Sequence, residues 1–210
     1  MTGSRLASFA TSATTALVCV LLLLPTVAVM PLSITETNFV TFPPRGFSLR
    51  WYETLFTSDA WRGAMMTSFI TATLTTAVAT PIGTMMALGL ARLKGRWVGM
   101  GNVFILLPII VPTIVTGVAL YGLLARLGLI GTIPGLVLGH SVLALPFVVI
   151  NVAAVLQKFD RRIEQAARSL GASPLTAFRL VTLPNLMPGV AAGALFAFLT
   201  SFDDFVIALF

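Results

Sequence analysis

Five apolar stretches constrain this chain more than any other feature. A helix crossing a hydrocarbon core of about 30 Å needs roughly 20 mostly apolar residues. Stretches at about 14–32, 64–91, 101–125, 134–156 and 185–210 meet that length, and none carries Lys or Arg in its interior. They are too long for buried strands. Each contains proline: Pro25, Pro81, Pro108 with Pro112, Pro146 and Pro188. Proline in a span frees a backbone carbonyl that neighbouring helices or water must satisfy. Bends that line a path and ordinary membrane-helix proline account for this equally well. The sequence therefore reads as an all-α polytopic membrane protein, one transmembrane domain over residues 1–210.

Composition agrees. Hydrophobic residues make up 57% and charged residues 10% of the 210 residues, too few charges to cover a soluble surface. That balance excludes disorder, and one cysteine, Cys19, excludes a disulfide scaffold. The net charge of +6 is a topology signal rather than a nucleic-acid one. Eight basic residues fall in the loops 92–97 and 157–184, against four (Arg45, Arg50, Arg62, Arg126) in the alternate loops. The excess of basic residues places 92–97, 157–184 and the N-terminus with Arg5 in the cytoplasm, and Ser33–Gly63 outside. The first stretch ends at Pro31-Leu32-Ser33 without a small-x-small cleavage pattern, so it reads as a retained signal anchor.

The loop 157–184 is expected to form a helical elbow. Asp160 is placed to cap a helix over about 161–170, with Ile163, Ala166, Ala167 and Leu170 on one face and Gly171 ending it. Ser173-Pro174 restarts a helix to about Leu180, as cap and first residue. That piece offers Phe178 as an apolar knob, and Thr182-Leu183-Pro184 is expected to stop it. Periodicity alone leaves an interfacial amphipathic elbow and a protein-docking element at nearly even weight.

Gln165-Ala166-Ala167, Gly171, Val181 and Leu183-Pro184 fall at the spacings of EAA-x3-G-x9-I-x-LP, the cytoplasmic loop of ABC-importer permeases. The motif's glutamate is Gln165 here, with Glu164 one residue earlier, a turn of about 100° on a helix. Further stretches extend the resemblance over nearly the whole chain: 48–55, 107–124, 139–149, 166–190 and 198–210. The chain thus resembles the polyamine (spermidine/putrescine) permeases of binding-protein-dependent importers and their opine- and amine-transporting relatives. It departs at Thr113, where many relatives carry an acidic residue. The resemblance implies a type I importer bundle of six spans, one more than counted here, so the chain reads as lacking the C-terminal span. It also implies partners: a dimeric ATP-binding subunit docked on the loop, a second permease subunit and a periplasmic binding protein. The location implied is the bacterial inner membrane, multi-pass. Importers of opines, aminophosphonates or iron, and a non-transporting membrane scaffold, remain as alternatives.

Asp203 and Asp204 lie in the fifth stretch, where each carboxylate costs about 2.5–3.5 kcal/mol at a helix centre. Gly189, Gly193, Ala197, Thr200 and Asp204 recur at helical spacing. One reading turns this stripe to a substrate path on which Asp204 meets a cationic substrate, with Thr200, Ser201 and Asp203, the last about 100° round the helix, as further candidate path residues. Carboxylates beside Phe202 and Phe205 suit an ammonium ion by charge and cation–π attraction. Other readings make the pair a helix-end cap and the stripe a packing seam. His140, the only histidine, is expected to be packed or hydrogen-bonded, and Asn151 to bond between helices. No phosphate-binding loop, H-E-x-x-H or nucleophile elbow occurs in the sequence, so no catalytic residue, metal or cofactor is expected and ATP hydrolysis is assigned to a partner.

Overall fold

A computed structural model describes residues 2–39, 41 and 43–209; Phe210, the expected end of the fifth span, lies outside them. The described residues are helical, without strands. They form α1 (Thr2–Ser33), α2 (Arg50–Thr57), α3 (Asp59–Leu90), α4 (Arg96–Ile110), α5 (Thr113–Arg126), α6 (Ile133–Lys158), α7 (Arg161–Ser169), α8 (Pro174–Ala177) and α9 (Leu183–Asp203). Four of these are long and apolar enough to cross a membrane, or five spans if the bent pair α4–α5 counts as one. The backbone divides into two compact units, 1–64 and 65–210, with the boundary inside α3.

The first unit holds α1, α2 and the turn between them. The Trp51 indole N–H donates to the Thr35 carbonyl at 3.0 Å, and the hydroxyls of Tyr52 and Ser33 lie 2.8 Å apart. The Ser48 N–H donates to Ile34 O at 2.8 Å. These bonds fold α2 back beside the end of α1.

In the second unit α6 is the central helix. Thr132 caps it, its hydroxyl accepting from the Gly135 N–H at 3.2 Å, with Pro134 in the first turn where no N–H is needed. Val148, Val149, Val152 and Ala144 of α6 form the core with Ala79 and Ala87 of α3, Ile105 of α4 and Ala197 of α9. Backbones approach closely at glycines. A Cβ on Gly193 would lie 2.9 Å from the Val148 Cα, and one on Gly189 2.9 Å from the Asn151 carbonyl. Gly83 of α3 meets Val148 from another side. Without a hydrophobic drive between helices in lipid, such contact supplies van der Waals cohesion. The small-residue stripe of α9 thus packs on α6 along Gly189, Gly193 and Ala197.

Two expected spans differ in outline. The third is not one rod: α4 and α5 meet at a bend of 100°. Val111 is extended (φ −75°, ψ 132°), as a residue before proline prefers, and Pro112 has no N–H to continue the ladder. The fifth ends at Asp203 rather than running to 210. The Asp204 carboxylate accepts from the N–H groups of Val206 (3.3 Å) and Ile207 (3.2 Å), starting a short 3-10 turn over Ile207–Leu209. Ile207 is buried against Gly139, which has no side chain to obstruct it.

Candidate functional site: an acidic cavity and a helical elbow

The larger of two features in the second unit is a cavity of about 740 Å³ at the C-terminal end of α9. Thr200, Phe202, Asp203 and Asp204 line it from α9 and its end, Leu143 and Phe147 from α6, and Pro108, Ile109 and Thr113 from the α4–α5 bend. Its walls are largely aromatic and aliphatic; Phe147 and Phe196 of the lining stack at 6.3 Å, and Phe202 stacks at 5.7 Å on Phe198 behind it. Asp203 makes no hydrogen bond or ion pair among the described residues and is exposed. Asp204 is committed to the turn described above, and its Oδ2 stands 3.6 Å from His140 Nε2. His140 is buried, its Nδ1 sharing a 2.8 Å hydrogen bond with Ser201 Oγ. The C-terminal carbonyls of α9 carry the negative end of the helix dipole. Both they and Asp203 favour a cation.

Of the expected path residues, Thr200, Asp203 and Asp204 come together on this wall, whereas Ser201 points to His140. Sequence reasoning missed Phe147 and Phe196, which sit on separate helices and carry no local signal. Among the described residues Asn151 makes no bond between helices: its amide donates to Phe147 O, one turn back on α6, at 2.8 Å. The expected metal-free character rests on sequence; the described residues place no three metal-binding side chains together.

The second feature is the elbow. Asp160 accepts from the Arg162 N–H at 2.9 Å and starts α7. α7 closes in a two-bond motif: the Gly171 N–H donates to Arg168 O (3.0 Å) and the Ala172 N–H to Ala167 O (3.1 Å), with Gly171 at φ +94°. Ser173 caps α8, accepting from the Thr176 N–H at 3.1 Å, and Pro174 follows in the first turn. The expected stop at Thr182-Leu183-Pro184 does not occur. Residues Phe178–Thr182 form a π-turn that runs directly into α9, the Leu183 N–H donating to Phe178 O five residues back. The wider turn accommodates Pro184, which has no N–H to continue the ladder.

Phe178 is not a protruding knob. It is half-buried and lines a second cavity, of about 520 Å³, together with Leu88, Leu156 and Phe159. Glu164, half-buried, accepts from the Thr182 hydroxyl at 3.0 Å, tying α7 to the π-turn. The Arg161 guanidinium donates to the Ala91 carbonyl at 2.7 Å, completing the end of α3. Among the EAA-like residues, Gln165, Ala166, Gly171 and Pro184 are exposed, while Ala167, Val181 and Leu183 are half-buried. The apolar face of α7 points outward, with Leu170 90% and Ile163 51% exposed.

Residues 79–210 match the model of the family described as binding-protein-dependent transport system inner membrane component. The chain belongs to this family. The permease is 35% identical over 168 residues to the spermidine/putrescine transport system permease protein PotC of Haemophilus influenzae, covering 79% of this chain and 65% of that one. It is 35% identical over 173 residues to the putrescine transport system permease protein PotI of Escherichia coli, covering 79% and 61%. The molybdenum transport system permease protein ModB of Mycobacterium bovis is 34% identical over 183 residues, covering 80% and 69%. The chain therefore spans under two thirds of the length of the polyamine-system relatives. The elbow, the acidic cavity and the helices that join them all lie within the second unit, which holds the whole of the family match.

Proposed function

We propose that this permease is the membrane-spanning subunit of an ATP-driven importer for polyamines or related organic amines. The cavity at the end of α9 carries the reading: a free carboxylate, Asp203, stands beside Phe147, Phe196 and Phe202 at the negative end of a helix. Its volume lies within the range of small-ligand sites. Similarity to permeases named for spermidine and putrescine transport supports the same substrate class. Asp203 is assigned the contact with substrate ammonium groups, and Thr200 a hydrogen bond to them. Asp204 holds the turn that closes the wall, and Ser201 fixes His140.

The elbow is assigned the contact with a separate ATP-binding subunit. Its outward apolar residues Ile163 and Leu170, with Ala166 between, suit a protein groove, and its continuity with α9 carries movement toward the cavity. A second permease subunit and a periplasmic binding protein complete the assembly. The excess of basic residues in the loops 92–97 and 157–184 supports a cytoplasmic elbow and N-terminus in a bacterial inner membrane. Each step of the cycle requires contacts that differ between an inward and an outward state.

The similarity to a permease named for molybdenum transport makes an oxyanion the competing substrate class. Two carboxylates on the cavity wall oppose it. The test is ATP-dependent uptake into proteoliposomes holding the full assembly, with labelled spermidine and labelled molybdate in parallel. Accumulation of spermidine supports the reading. Uptake of molybdate alone overturns the substrate class, and failure of the permease to co-purify with any ATP-binding subunit overturns the coupling role.

A further inference from the structure

α7 leaves its apolar face exposed along with most of its charged residues. Amphipathic helices bury the apolar face and expose the charged one. Here Ile163, Ala166 and Leu170 point outward, while Arg161, Glu164, Gln165 and Arg168, spaced on the opposite face, line the 520 Å³ cavity under the elbow. Arg92, just past the end of α3, joins them. The cavity is thus lined by three guanidinium groups and one carboxylate. The carboxylate, Glu164, already accepts from Thr182, and Arg161 donates to Ala91 O. Arg92 and Arg168 make no hydrogen bond or ion pair among the described residues. The opposite wall is apolar: Leu88, Leu156, Phe159 and Phe178. Three cations, a net positive charge and an apolar flank describe a receptor for an anion attached to hydrocarbon.

The site's depth agrees. α3 ends at Leu90 and α6 at Lys158, so the arginines stand where two apolar helices leave the hydrocarbon and phosphate groups begin. Basic pockets between membrane helices on the cytoplasmic side bind phospholipid head groups. Guanidinium groups present paired donors that match phosphate oxygens.

We propose that the cavity beneath the elbow, lined by Arg92, Arg161 and Arg168, binds a phosphate group, carried by an anionic phospholipid whose acyl chain lies along Leu88, Leu156 and Phe178. The bound lipid fills the space between α3, α6 and α7, and so braces the elbow from the side opposite its outward face.

The test is native mass spectrometry of the full, delipidated chain with phosphatidylglycerol, phosphatidylcholine or inorganic phosphate added back. Wild type is expected to retain phosphatidylglycerol in preference to phosphatidylcholine. Arg92→Gln/Arg168→Gln is expected to lose about thirtyfold in that preference, the weight of two cations at an anionic surface. Arg92→Lys/Arg168→Lys, which keeps the charge, retains most of it, so loss in the Gln pair is not simple misfolding. Arg126→Gln, a charge in the last turn of α5, leaves it as in wild type. Displacement of the lipid by millimolar inorganic phosphate assigns the site to the free anion rather than the lipid. Equal retention of both lipids by wild type overturns the proposal. So does a Gln pair that keeps the lipid preference yet no longer co-purifies with the ATP-binding subunit, since the arginines would then serve a protein contact. Uptake is not a readout, so failure here leaves the transport reading standing.

Discussion

The two ends of α9 carry opposite charge. At its C-terminal end a cavity with aromatic walls holds Asp203 and Asp204; at its N-terminal end the elbow cavity is lined by Arg92, Arg161 and Arg168. Both combine a few charges with apolar walls, and both use a helix end. They differ in how the charges are held. At the acidic end one carboxylate caps a turn and the other stands free. At the basic end Glu164 and Arg161 are spent on hydrogen bonds that join α7 to the π-turn and to α3. The first arrangement leaves a charge available to a mobile ligand. The second builds a joint, with residual cations around it.

Substitutions separate the two ends. Gly193→Val acts on both, because its Cβ would sit 2.9 Å from the Val148 Cα where α6 and α9 cross. Overpacking there is expected to cost up to about 3 kcal/mol, seen as a lowered melting temperature of the detergent-solubilised permease. An unchanged melting temperature would mean that the helices do not approach so closely. Ser201→Ala removes the partner of buried His140 Nδ1 and is expected to cost about 2 kcal/mol, by the same measurement, with the elbow's binding of the ATP-binding subunit unaffected. Gly171→Val forces a branched side chain into φ +94°, at about 1–2 kcal/mol. Its effect should be local, weakening co-purification of the ATP-binding subunit while amine binding persists. Thr182→Val breaks only the bond to Glu164 and is expected to cost about 1 kcal/mol. Thr182→Ser should restore it. If serine fails to rescue, the hydroxyl is not what joins α7 to the π-turn.

The elbow was more legible in the sequence than the cavity, for a physical reason. Asp160, Gly171, Ser173 and Pro174 act on backbone groups within a few residues, and the structure uses all four as their chemistry suggests. Where the sequence expectation failed, a non-local or rarer geometry intervened. Pro184 reads as a stop because proline opposes a preceding helical residue, yet a π-turn carries the helix through. Pro112 reads as one proline among several in a span, yet it breaks the third stretch by 100°. On paper the small-residue stripe of α9 runs on to Asp204. In the structure its glycines are consumed by packing on α6, and Asp204 by the turn that folds Ile207 over Gly139. Asp203, about 100° round the helix from that stripe, is the free group. Phe147 and Phe196 meet only because α6 and α9 pack, which no local pattern encodes.

In the proposed transport role, Asp203 offers a free carboxylate to a cationic amine. The direct measurement is the KM for spermidine in ATP-driven proteoliposome uptake, compared between wild type, Asp203→Asn and Asp203→Glu. Removing the charge is expected to raise KM by about tenfold or more, with glutamate recovering part of it, since a charge-assisted hydrogen bond is worth roughly twice a neutral one. Equal KM values in wild type and Asp203→Asn, with uptake intact, would contradict the account.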